Sequence, residues 1–171
     1  MITEEFIESV AMEMAQLDQD EAEALIAEFQ TEQPAVFNVV ISVPEEFTDE
    51  EAEIQLYLGL LIWKTMKTYC KLQSNGNLQS EVTEEKIAQT VQKNISLLQQ
   101  IDEDSEGDAL AFVERIMDDY PQQELLRYVL ETLVSYDDEE YDAENILEVR
   151  EDMKGFVLLT IKTAIDCLDA A

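Results

Sequence analysis

The sequence predicts an all-α bundle of about eight helices, made of two similar four-helix halves. Three observations lead there. Only four Gly and three Pro punctuate 171 residues, so little interrupts the chain and long helices result. Apolar residues, 46% of the total, recur at three- and four-residue spacing through most of the chain. The same order of elements also occurs twice. A chain of this length buries about 70% of its unfolded surface, enough to fold alone. Residues 1–171 are therefore expected to form a single helical domain, with halves 1–73 and 82–171 joined by a turn at 74–81.

Phe6, Val10, Met14 and Leu17 recur at helical spacing and predict a first helix near residues 3–17. Asp20 and Glu23 have the spacing of a capping box, with Ala22, Leu25, Ile26 and Phe29 following on one face. Pro34 suits the first position of a new helix, where its missing N–H costs nothing. Residues 36–43 are rich in β-branched side chains and by propensity alone read as a strand. Thr48 and Glu51 form a second capping box, opening a helix that runs to Leu72, and Ser74-Asn-Gly-Asn77 is a turn.

In the second half, Ile87, Val91, Ile95 and Leu98 predict a helix ending near Ile101, and residues 102–108 a polar loop. Ala109 to Met117 is the next helix, and Pro121 opens another, carrying Leu125, Leu126, Val129, Leu130, Leu133 and Val134. An acidic stretch follows from Asp137 to Glu144. The final helix is expected from about Asn145 to Asp169.

Residues 25–34 line up with 112–121, each an amphipathic turn, then acid, then proline. Residues 36–41 pair with 125–130, and Leu60-Leu-Ile-Trp-Lys-Thr65 pairs with Leu158-Leu-Thr-Ile-Lys-Thr163. The pairing decides the ambiguous segment. Residues 36–43 have a helical counterpart and a lone strand has no sheet to join, so they are read as helix. Residues 50–72 and 145–168 are the most apolar helices and are expected at the centre. Aromatics at helical spacing there, Tyr57, Trp63 and Tyr69, are read as core rather than pocket.

Charge is the outlier. Forty acids against ten bases give −30 and a pI near 4.1, and there is no histidine. That excludes His-based acid–base catalysis, Ser-His-Asp and Cys-His nucleophiles, and imidazole metal sites. Phosphates would be repelled, which argues against direct nucleic-acid or membrane binding. Residues 1–63 hold 16 acids and no Lys or Arg. Lys64, Lys67 and Lys71 then form one basic stripe on the long helix, whose plain reading is that it meets acids of a neighbouring helix.

Two acidic segments are candidate partner-binding surfaces: Glu45, Glu46, Asp49, Glu50 and Glu51, and Asp137, Asp138, Glu139, Glu140 and Asp142. The plainer account is that acids at a helix start favour its dipole and keep the chain soluble. Asp102, Asp104, Glu106 and Gly107 match the first half of an EF-hand loop, and its acids Asp102, Asp104 and Glu106 are the only metal candidates. The match then fails, because position 12 is Val113 and the bidentate Glu arrives one residue late, at Glu114.

No Walker A, Gly-x-Gly-x-x-Gly or Gly-x-Ser-x-Gly motif is present, and no cofactor is implied. No basic n-region begins the sequence, and the longest apolar stretch, Leu56 to Trp63, falls far short of a membrane span. Cys70 and Cys167 read as buried free thiols, which fits a reducing cytoplasm. The expectation is a non-enzymatic cytoplasmic helical protein, an adaptor or dedicated chaperone for a basic or apolar segment of a protein partner. The alternatives are a nucleic-acid mimic that inhibits a DNA-binding protein and, last, a carboxylate-only enzyme. A mimic needs an elongated row of carboxylates; an adaptor needs a groove or apolar patch.

Overall fold

The computed structural model describes residues 1–73, 80–104, 116–117, 119–134 and 149–169. Among the described residues the fold is all-α, with seven helices and no strand. They are α1 (Glu4–Ala15), α2 (Gln19–Glu32), α3 (Pro34–Ile41), α4 (Asp49–Gln73), α5 (Glu84–Asp104), α6 (Gln123–Val134) and α7 (Glu151–Asp169). Helices α4 and α7 pack against each other at the centre. Around them, α1, α2 and α3 lie on α4, while α3, α5 and α6 lie on α7. Two cross-contacts, α1 to α6 and α3 to α5, close the bundle.

Local chemistry sets most helix starts. The Thr3 hydroxyl accepts the Phe6 N–H at 3.4 Å and caps α1. The capping box of α2 is Asp18 with Glu21, not Asp20 with Glu23. Asp18 has the extended backbone of a cap, its carboxylate accepts the Glu21 N–H at 2.9 Å, and Glu21 accepts the Asp18 N–H at 3.0 Å. Asp20 instead lies inside the first turn, where its charge favours the dipole. Pro34 opens α3, and Thr48 and Glu51 form the expected reciprocal box at α4 (2.9 and 3.2 Å).

The β-branched segment is helical through Ile41, as tertiary packing demands, while Ser42 turns to extended backbone and ends the helix two residues short of expectation. Val36, Phe37 and Val40 on α3 are buried, and α3 touches α2, α4, α5 and α7. Its approach to α4 is close. A Cβ built on Gly59 would press into the Val40 side chain, nearest to Cγ1 and 2.7 Å from Cγ2, so glycine lets these helices come this close around Val40. The core continues through Trp63, stacked on Phe29 at 4.8 Å, with Phe37 edge-on to Phe29 at 5.4 Å. Leu58, Leu61, Ile62, Leu125, Val129, Ile161 and Ile165 complete it, all fully buried. Each contributes about 1.5–3 kcal/mol over an exposed side chain. Of the other aromatics, Tyr69 is half-buried against Phe6, whereas Tyr57 is exposed and so departs from the core reading.

Three second-half boundaries differ from expectation. Helix α5 continues through Asp104, so the polar loop cannot begin at Asp102. Only Ile116 and Met117 of the expected 109–117 helix lie among the described residues, and both are helical. Pro121 sits in a turn and α6 starts two residues later. The turn is pinned to the end of α7, where Tyr120 Oη donates to Asp166 and Gln122 Nε2 to Asp169, each at 2.6 Å. Helix α7 starts at Glu151 rather than near Asn145. Arg150 precedes it, accepting the Met153 and Lys154 N–H groups while its own N–H goes to Glu51.

Candidate functional site

Two of the three lysines of the α4 stripe, Lys64 and Lys67, are met by acids of neighbouring helices, while Lys71 is exposed. Lys64 pairs with Glu13 on α1 at 2.9 Å. Lys67 pairs with Glu28 and Glu32 on α2 at 2.6 and 2.7 Å, its ammonium 4.7 Å from the centre of the Trp63 ring. Burial opposes the charge of Lys67, but the two carboxylates outweigh it and raise its pKa. A second polar cluster joins α5, α7 and the turn before α6. Lys162 donates to Asn94 Oδ1 (2.9 Å) and Asp166 (2.7 Å), while Asn94 Nδ2 donates to Thr163 and Asp166. Burial, then the Asp166 carboxylate, pushes the Tyr120 phenol upward. These groups satisfy one another, which is structural work.

Glu45, Glu46, Asp49 and Glu50 are exposed on the segment linking α3 to α4 and at the α4 N-terminus. Glu51 is not part of that surface, because its side chain is 1% exposed. Arg150 donates to its Oε1 from the backbone N–H (3.0 Å) and Nε (2.8 Å), and to Oε2 from Nη2 (3.0 Å). Nη2 also reaches the Glu46 carbonyl. The Arg150 hydrogen bonds hold the Glu51 carboxyl at about 2, well below its ordinary 4.5, against the upward pull of burial; the Thr48 amide adds to the lowering. Glu51 is therefore a clamp between α4 and the start of α7. Asp137, Asp138, Glu139, Glu140 and Asp142 lie outside the described residues. So does Glu106, while Asp102 and Asp104 sit on the last turn of α5. Among the described residues no group of three or more acids or cysteines can hold a metal ion.

Sequence reasoning missed a groove of about 450 Å³ between α3, α5 and α7. Its walls are Ala35, Asn38 and Val39 from α3 with Ser42 just past its end, Glu84, Ile87, Val91 and Ile95 from α5, and Phe156, Leu159, Thr160 and Thr163 from α7. The α5 side chains were legible as an apolar stripe; Val91 and Ile95 are only half-buried. Phe156, 37% exposed, packs edge-on against Phe47 at 5.4 Å. That contact ties the groove wall to the segment bearing Glu45 and Glu46. An apolar trough and an acidic surface thus adjoin, a combination suited to a cationic amphipathic ligand.

Comparison with protein-family models, with curated proteins and with solved structures finds no match to this chain. Among the described residues no helix is long and apolar enough to cross a membrane.

Proposed function

We propose that this chain is a non-enzymatic adaptor or dedicated chaperone that holds a basic or apolar segment of a partner protein. One observation carries the reading: the apolar groove between α3, α5 and α7 adjoins, through Phe47 and Phe156, a segment with four exposed acids. Long-range attraction speeds encounter with a basic partner, and the trough supplies the apolar contact that holds it. The groove favours this over a nucleic-acid mimic, which needs a row of carboxylates instead. The free thiols Cys70 and Cys167 support a reducing compartment such as the cytoplasm.

The internal duplication belongs to the same proposal, with the chain as one domain of two joined halves. Lys64 and Lys162 are equivalent by the aligned Leu-Leu-x-x-Lys-Thr segments, and each reaches back to the first helix of its own half. The residues they meet, Glu13 and Asn94, both directly precede the third apolar position of that helix, Met14 and Ile95. Contacts of α1 and α3 with α4 likewise resemble those of α5 and α6 with α7.

The test compares proteins retained from lysate by three immobilised forms: the natural chain, Glu45, Glu46, Asp49 and Glu50 all changed to Lys, and Val91→Glu. A partner lost by both variants, and released from the natural chain faster as salt rises, supports the reading. Identical retention on all three forms refutes it.

A further inference from the structure

We infer that the groove between α3, α5 and α7 accepts one amphipathic helix of a partner protein. That helix carries a polar side chain on its buried face opposite Thr160 and a Lys or Arg near Glu84. The inference rests on the protein-binding reading above and narrows it to one class of occupant.

Dimensions come first. Along α5 the groove runs from Glu84 to Ile95, about 16 Å at 1.5 Å per residue; the walls of α3 and α7 run about 10 Å. Two to three turns of a helix match that length, with anchors at i, i+3 or i+4, and i+7. The walls also discriminate between backbone conformations. Thr163 accepts from Asn94 at 3.1 Å and donates to the Leu159 carbonyl at 2.8 Å, and the Ser42 hydroxyl donates to the Asn38 carbonyl at 2.6 Å. Those groups are already engaged, which leaves the Asn38 side chain and the Thr160 hydroxyl as the polar side chains of α3 and α7 still open to an occupant. An extended peptide would bury backbone amides and carbonyls with few partners, whereas a helix satisfies its own.

Thr160 is the second, independent observation. It lines the groove midway along the wall of α7 and is 7% exposed, yet its hydroxyl makes no hydrogen bond to any described residue. The hydroxyl keeps its access to water through the open groove, and an apolar occupant would seal it off unpaired, which is costly. A ligand side chain that hydrogen-bonds there relieves the cost. Charge then selects the flank. Glu84 stands at the α5 end of the groove, Glu45 and Glu46 adjoin the Phe156 end, and the chain as a whole carries −30. A basic helix is attracted, and a second copy of this chain is repelled.

The test uses 18-residue fluorescein-labelled helical peptides and fluorescence anisotropy. One peptide carries Leu, Asn and Leu at the three anchors and Lys at the flank. The second carries three Leu, and the third replaces the Lys by Glu. The natural chain should bind the Asn peptide about fivefold more tightly than the all-Leu peptide, the worth of about one buried hydrogen bond. Thr160→Val should erase that preference while Thr160→Ser keeps it, and Val91→Glu should weaken every peptide at least tenfold. Glu84→Lys should remove the preference for the Lys flank. Circular dichroism checks that each variant is folded; should Thr160→Val fail, the Thr160→Ser and Val91→Glu comparisons still decide. Tighter binding of an extended, proline-containing peptide overturns the inference. So does a concentration-dependent dimer, dissociated by Val91→Glu, in sedimentation. If no helical peptide binds but the four-acid variant still loses its cellular partner, only the helix inference falls. If that loss is also absent, both fall.

Discussion

Glu51→Gln isolates the clamp that ties the first half of the chain to the start of its last helix. The change is nearly isosteric; it keeps the shape, removes the charge and replaces one of the two accepting oxygens by an NH2 that cannot accept. A carboxyl held at about 2 instead of 4.5 corresponds to at most about 3 kcal/mol of stability at neutral pH. The Arg150 side chain is 47% exposed, so water screens part of this and about 1–2 kcal/mol is expected. That is a drop of about 2–8 °C in Tm for a domain of this size. The sign follows from linkage. The folded-state pKa is depressed, so the contribution is fully present above the unfolded value near 4.5. It fades as pH falls towards 2. Urea unfolding of both proteins at pH 7, 5 and 3 measures it. The gap should be equal at pH 7 and 5 and visibly smaller at pH 3. Taking the difference cancels most of the background from the remaining acids. A gap that stays constant down to pH 3, or no gap at pH 7, refutes the clamp.

Two further predictions concern packing. Gly59→Ala should cost about 1–3 kcal/mol in urea unfolding, because the new methyl meets Val40 Cγ2 at 2.7 Å and Cβ at 3.1 Å; Val40→Ala in the same chain should recover part of the loss. Burial pushes both thiols upward, with the Asp169 carboxylate adding at Cys70, so a disulfide reagent at pH 7.5 should modify half-buried Cys70 slowly and Cys167 only on unfolding in urea.

Periodicity revealed which faces are apolar, and simple exclusion revealed that the β-branched segment is helix, which holds for residues 36–41 while Ser42 and Val43 lie beyond its end. Of the stripe, Lys64 and Lys67 met acids as expected, because they face the acidic helices packed beside them, whereas Lys71 stayed exposed. The misses share one physical origin, contacts distant in sequence. Asp18 and Asp20 each precede a Glu by three residues, and only the backbone at Asp18 shows which is the cap. Glu51 stood among five similar acids, and its partner Arg150 lies 99 residues away. Ile87, Val91 and Ile95 make the same pattern whether a neighbour covers them or leaves them open. Pro121 and Asn145 looked like helix starts until the pinning of Tyr120 and Gln122, and the clamp on Arg150, moved both boundaries downstream.

The central pairing of α4 with α7 has a consequence for how the chain is made. Helix α4 leaves the ribosome about eighty residues before α7, a wait of roughly 4–16 s at ordinary rates of synthesis. Throughout that interval the side of α4 that will meet α7 lacks its partner. The emerging segment up to Trp63 carries 16 acids and no Lys or Arg, so neighbouring nascent chains on one messenger repel each other while their apolar surfaces are open. Acidity here protects an unfinished protein as much as it dresses a finished one.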